Sequence, residues 1–275
     1  RWANDFRYGE PLFNFYAPLP YYAGAIIKKI SGLDYLSVIK ILFGLGFLLS
    51  ALAMFWLASG IAGRSGGLLA AMLYLYAPYH SVDVYVRGAL SESWALIFFP
   101  LIFLFLQRVI NERSSEPSAH ERSLVNISLL AASLAGLFWT HNIMTVLFAP
   151  FAAGWAVYLL IVKDRSINII IPKTESLTIA LVWGFALAAS FLVPAYVERG
   201  YIQTSHLTDG YFDFRGHFVA IPQFFSNFWG YGASLWGPVD DMSFQVGIIH
   251  WAILTVVLST TILWFRKKYG LLVLA

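Results

Sequence analysis

The sequence has no cysteine and little charge: 12% of its 275 residues are Asp, Glu, Lys or Arg. The first absence excludes disulfides and leaves the redox compartment unread. The second excludes an ordinary soluble fold, because soluble domains carry about 25% charged residues and need them to cover their surface. A glycine-rich phosphate loop is missing. The histidines and carboxylates follow no defined metal spacing. The basic clusters are too short for a nucleic-acid surface, and no signal peptide is visible. The chain opens on Arg1-Trp2 and stops inside "LLVLA", so it reads as an excerpt with material missing at both ends.

Long apolar runs fill the rest; 59% of the residues are hydrophobic and mean hydropathy is +0.68. Such runs bounded by basic clusters predict an all-α, polytopic transmembrane helical bundle. The runs do not alternate as membrane barrel strands must. Spans are expected near 35–59, 66–80, 90–110, 123–140, 142–163, 176–196 and 246–265, with a truncated one at 270–275. Residues 1–34 then form part of a first outer loop, 35–275 the transmembrane domain, and 197–245 a long outer loop.

Orientation follows from lysine and arginine. One set of connections holds Arg64, Arg108, Arg113, Arg122, Lys163, Arg165, Lys173 and Arg266–Lys268, ten basic residues against five acids, and is expected on the cytoplasmic side. The opposite loops hold seven basic residues against ten acids. This alternation requires residues 1–34 to lie wholly outside. Residues 17–31 would reach only about 22 Å as a helix, too short to cross. Pro18 and Pro20 suit a first helical turn, and Tyr16, Tyr21 and Tyr22 suit the aromatic belt. The segment is therefore expected to lie in the outer interface. The run 66–80 is also short, so "HSVDVYVRGALSE" from His80 to Glu92 should dip to membrane depth. Charged backbone is tolerated there only in protein or beside a wet cavity.

The candidate chemistry gathers on the outer side. Arg87 is the best anion ligand, since its fork matches phosphate; Asp83 and Glu92 are its expected partners. The same pairing also serves as a structural pin for the loop. Glu10, in a Gly9–Pro11 turn, and Asp5 are the remaining carboxylates of the first loop. Under apolar cover such a group becomes a general acid or base; in water it is an ordinary loop residue. His80, Tyr16 and the "THN" turn with His141 and Asn142 complete the substrate-binding candidates. Asn142 equally suits a helix cap, and His141 a backbone-satisfied histidine. The alternating "DGYFDFRGHF" at 209–218 suits a sugar, a lipid headgroup or an amphipathic lid. No cofactor is called for; the outer His and Asp are numerous enough for a divalent metal ion.

Three stretches carry a resemblance: "YGEPLFNFYAPLPYY", "YLYAPYHSVDVYVRGALSE" and "THN", in that order. Together they resemble bacterial and archaeal membrane proteins described as related to 6-pyruvoyl-tetrahydropterin synthase, which are similar to GT-C glycosyltransferases. The likeness covers most of 8–145; beyond that it lies in topology. The chain shows no sign of the soluble synthase's zinc-histidine site. The resemblance implies an integral membrane glycosyltransferase that takes a sugar from a polyprenyl-phosphate donor and transfers it, with inversion, to an envelope or lipid acceptor on the outer face. It also implies a catalytic acid just after an upstream first helix, in a stretch that would precede Arg1. Glu10 and Asp5 are only the nearest carboxylates left. The expected partners are thus a polyprenyl-phosphate sugar lipid and the cell membrane, with the site on the non-cytoplasmic side and no nucleic acid. Two other classes fit the same composition. A transporter or flippase should show internal repeats and broken helices at mid-depth, and none is evident. A non-catalytic assembly protein would lack the upstream acid.

Overall fold

A computed structural model describes residues 3, 9–112, 119–163, 167–202, 208–237 and 239–270; Asp5 and His206 fall outside them. The described residues are helical, with two isolated bridges and no strand. Five helices are long and apolar enough to cross a membrane, which makes the chain a polytopic helical bundle. Two compact units emerge: Arg1–Leu75 with Ala89–Gln203, and Tyr76–Gly88 with Thr204–Ala275.

The first unit begins with α1 (Leu12–Phe15) and α2 (Leu19–Ser31). Pro20 sits in the first turn of α2, where its missing N–H costs nothing. Gly32 closes the helix at φ 69°, donating its N–H to the Lys28 carbonyl at 2.9 Å. With 13 residues, α2 reaches only about 20 Å. It buries Pro20 and Gly24 and packs on α3, where a Cβ on Gly24 would come within 2.9 Å of Leu42. Its other side exposes Tyr22, Ile26 and Ile30, one stripe at i, i+4 and i+8.

Helix α3 (Tyr35–Leu75) is two limbs. Gly63, at φ 70° and ψ 179°, interrupts it in a conformation that only glycine adopts readily. The chain folds back there: a Cβ on Gly67 would lie 2.9 Å from the Phe55 carbonyl oxygen, whereas twelve residues of straight helix span about 18 Å.

Helix α5 (Leu90–Asn111) is the core element; 67% of its most apolar window is buried, against 11% for α7 (Asn142–Lys163). A helix apolar on all sides belongs in the middle of a bundle. Around it stand α3, α6 (Ala119–Thr140), α7 and α8 (Ile167–Val197). Phe99 of α5 stacks on Phe148 of α7 with centroids 4.1 Å apart. Small residues allow close approach: Gly136 of α6 faces the Phe98 ring with no room for a Cβ, and Ala131 and Ala135 of α6 and Ala180 and Ala188 of α8 are buried. Pro100 within α5 deprives the Leu96 carbonyl of its N–H partner. Tyr74 on the second limb of α3 restores it, donating its hydroxyl at 2.8 Å. Trp94 Nε1 likewise donates to the Leu42 carbonyl at 2.9 Å, over Gly46, whose missing side chain admits the indole.

The second unit holds α4 (Pro78–Ser81), one π turn at Val82–Val86, short 3₁₀ turns at Gly210–Phe212, Phe214–Gly216 and Ile221–Phe225, and α9 (Ile248–Gly270). Polar side chains brace its loops. Gln223 donates to Asp240 at 2.6 Å, Asp240 accepts the Leu235 N–H at 2.7 Å, and Trp251 Nε1 donates to the Phe224 carbonyl at 2.9 Å.

Candidate functional site

In the second unit, the π turn sets the key pair. Arg87 N–H donates to the Val82 carbonyl at 2.9 Å, an i to i−5 bond that widens the helix by one residue. Asp83 and Arg87, four apart, share a face, and the Arg87 guanidinium donates to Asp83 Oδ1 at 2.7 Å. The Asp83 side chain is fully buried, while that of Arg87 is 40% exposed. A carboxylate removed from water thus backs a guanidinium that reaches solvent. Asp83, expected as a partner of Arg87, is in place. Glu92 is buried in the first turn of α5. His80 is buried on α4.

Arg87 lines a cleft of about 730 Å³ walled by Tyr79, Tyr211, Phe212 and Phe224, with His217 and His250. No carboxylate is among its described lining residues. His217 Nε2 lies 2.5 Å from the Tyr211 carbonyl, which can only accept, so Nε2 carries the proton. Nδ1 then accepts from Ser234 Oγ at 3.0 Å. Both ring nitrogens are taken up within the loop, so His217 is a strut of the wall. The expected aromatic–polar alternation resolves into 3₁₀ turns, in which Asp213 takes both the Arg215 backbone N–H and its guanidinium. Hydrogen bonds from Arg215 hold the half-buried Asp213 carboxyl below the usual carboxylate range.

The first unit has its own cleft, about 620 Å³, lined by Glu10, Phe15, Tyr16, Glu198 and Tyr201. Gly9, at φ 84°, turns the chain so that Ala3 and Glu10 exchange backbone bonds at 2.8 and 3.1 Å. Glu10 is exposed. The apolar cover that would make it an acid–base group is thus lacking around its side chain, because the turn projects it from the surface. Asn14 of α1 donates to Glu198 Oε2 at 2.6 Å, which ties the first loop to the end of α8. Tyr16 accepts from Tyr21 at 3.4 Å and meets its ring edge-on. Burial first, and then the Tyr16 hydroxyl, raise the Tyr21 pKa to about 12.

The "THN" turn divides its roles differently from the sequence expectation. His141 is the cap of α7, its Nδ1 accepting the Met144 N–H at 3.2 Å. Asn142, the expected cap, sits inside the helix and reaches out to donate to the Phe15 carbonyl at 3.3 Å. The ring precedes the helix by one residue and so meets the open N–H.

The structure therefore joins Arg87 with Asp83 in the second unit. In the first it joins Glu10 with Tyr16, and Asn142 with the backbone beside them. Asn14 and Tyr201 are residues that sequence reasoning did not select. No group of three or more His, Asp or Glu among the described residues is placed to hold a metal ion.

A protein of Lactococcus lactis subsp. cremoris (strain MG1363), named only "Uncharacterized protein", is 27% identical over 195 residues. The match takes in 68% of this chain and 30% of that protein, so the chain spans about a third of its relative. No solved structure matches the chain. The family described as "6-pyruvoyl-tetrahydropterin synthase related domain; membrane protein" matches residues 13–268, nearly the whole chain. The chain belongs to this family of membrane proteins.

Proposed function

We propose that the chain is the membrane part of a glycosyltransferase that moves a sugar from a polyprenyl-phosphate donor to an envelope or lipid acceptor on the non-cytoplasmic face. One observation carries the reading: the 730 Å³ cleft of the second unit combines aromatic walls, a half-exposed Arg87 and no lining carboxylate among the described residues. Aromatic faces suit the C–H face of a sugar. A guanidinium steadied by a buried carboxylate suits the single phosphate of the donor. The resemblance to GT-C enzymes and the family's membrane character point the same way.

The reaction runs as an inverting displacement. The acceptor hydroxyl gives its proton to a general base, and its oxygen bonds to the anomeric carbon. The carbon–oxygen bond to phosphate breaks, and its electron pair leaves with the polyprenyl phosphate. Arg87 stabilises that charge. The test supplies radiolabelled polyprenyl-phosphate sugars to membranes carrying the full-length protein. Wild type should pass label to an acceptor. The double variant D83N/R87M should lose at least tenfold while remaining folded. Absence of transfer from every donor, or full transfer by D83N/R87M, overturns the reading.

A further inference from the structure

The cleft of the first unit has a chemistry of its own. Three aromatic rings, Phe15, Tyr16 and Tyr201, share its lining with Glu10 and Glu198. Tyr201 is 89% exposed, a large ring held in the open at the cleft edge. No basic side chain is among the described lining residues. The Glu198 carboxylate is aimed by Asn14, which occupies Oε2 at 2.6 Å. The Glu10 side chain is exposed at the cleft. The aromatic floor is itself fixed: Asn142 holds the Phe15 carbonyl at 3.3 Å, and Tyr21 holds the Tyr16 hydroxyl.

Ionised carboxylates are acceptors only, with two oxygens each. They match ligands that present adjacent O–H donors, and hydrogen bonds to a charged acceptor are stronger than neutral ones. Flat exposed rings match the C–H face of a pyranose through apolar contact while leaving its rim hydroxyls free. The two features together suit a neutral polyol and disfavour anions and purely apolar ligands. An anion would meet two like charges, and a purely apolar ligand would strand both carboxylates. The opening of about 620 Å³ lies in the range of small-molecule sites.

We infer that this cleft is a binding site for a neutral hexose unit, with Glu198 and Glu10 accepting its hydroxyls and Tyr201 covering one face. The assignment stands on the lining of this cleft and goes beyond the transferase reading above. Glu198 is here a specificity residue, and Asn14 positions it.

The experiment measures binding of methyl hexopyranosides to the purified full-length protein in nanodiscs by saturation-transfer NMR, without any donor. Glucuronate, glucosamine and calcium chloride serve as comparison ligands. A neutral hexoside should saturate, and glucuronate should bind at least tenfold more weakly. Glu198→Gln and Tyr201→Ala should each weaken the hexoside at least fivefold, with elution profile and melting temperature unchanged. Asn14→Ala should weaken it less, and Asn14→Gln should recover part of the loss. Saturable hexoside binding that ignores both Glu198→Gln and Tyr201→Ala overturns the assignment. So does no hexoside binding at all, or binding of calcium or glucosamine in preference to neutral sugar, which marks a cation site. Because no donor is present, these results stand apart from the transfer assay. Transfer without hexoside binding removes this inference alone.

Discussion

Removing Arg87 should cost the protein far more than removing its partner. The asymmetry follows from burial: Asp83 is fully out of water, while Arg87 keeps 40% of its side-chain surface, and the two lie 2.7 Å apart. Arg87→Met leaves a carboxylate buried without its counter-charge, a situation that costs about 3–5 kcal/mol. Asp83→Asn keeps the shape, needs no counter-ion and leaves a guanidinium that water can reach, so about 1 kcal/mol is expected. The double variant D83N/R87M removes both charges and should lie within about 2 kcal/mol of wild type. The pair then couples by roughly 2–6 kcal/mol in a double-mutant cycle. Reversible SDS unfolding of the purified protein, followed by tryptophan fluorescence, measures all four species. An exposed surface pair would instead give two equal losses under about 1 kcal/mol and little coupling. That outcome would refute the claim that Asp83 depends on Arg87, and with it the pre-set guanidinium on which the cleft reading leans.

Two further perturbations follow from the geometry. Tyr74→Phe leaves the Leu96 carbonyl, already deprived by Pro100, without its donor at 2.8 Å; a loss of about 1–3 kcal/mol is expected in the same SDS assay, and no change would mean another group serves that carbonyl. Gly136→Leu drives a side chain into the Phe98 ring; it should destabilise by about 1–3 kcal/mol or more, and G136A/F98A should recover part of that loss.

The helical membrane class was legible because it is written in composition: long apolar runs with basic punctuation leave no other fold. Arg87 with Asp83 was legible for a local reason, since residues four apart share a helical face, and the π turn keeps them close enough to pair. Other features depend on contacts that no window contains. Asn14 meets Glu198 across 184 residues, and neither residue type signals such a bond in a loop. Pro100 announces an unsatisfied carbonyl, yet only the packed hairpin of α3 brings Tyr74 to it. The "THN" turn misleads because asparagine is the commoner cap. The choice between the two neighbours is made by where the helix begins, and Asn142 is drawn outward by the Phe15 carbonyl. Glu10 was read correctly as a turn residue, but its cover depends on the surrounding tertiary surface, which leaves it open to solvent.

The most direct test of the central claim is native mass spectrometry of the full-length protein released from nanodiscs in the presence of a short-chain polyprenyl-phosphate hexose. The account predicts one bound donor per chain, retained by Asp83→Asn and lost at least tenfold in D83N/R87M, while unphosphorylated polyprenol fails to bind. Equal binding of polyprenol and donor, or donor binding indifferent to D83N/R87M, would contradict it.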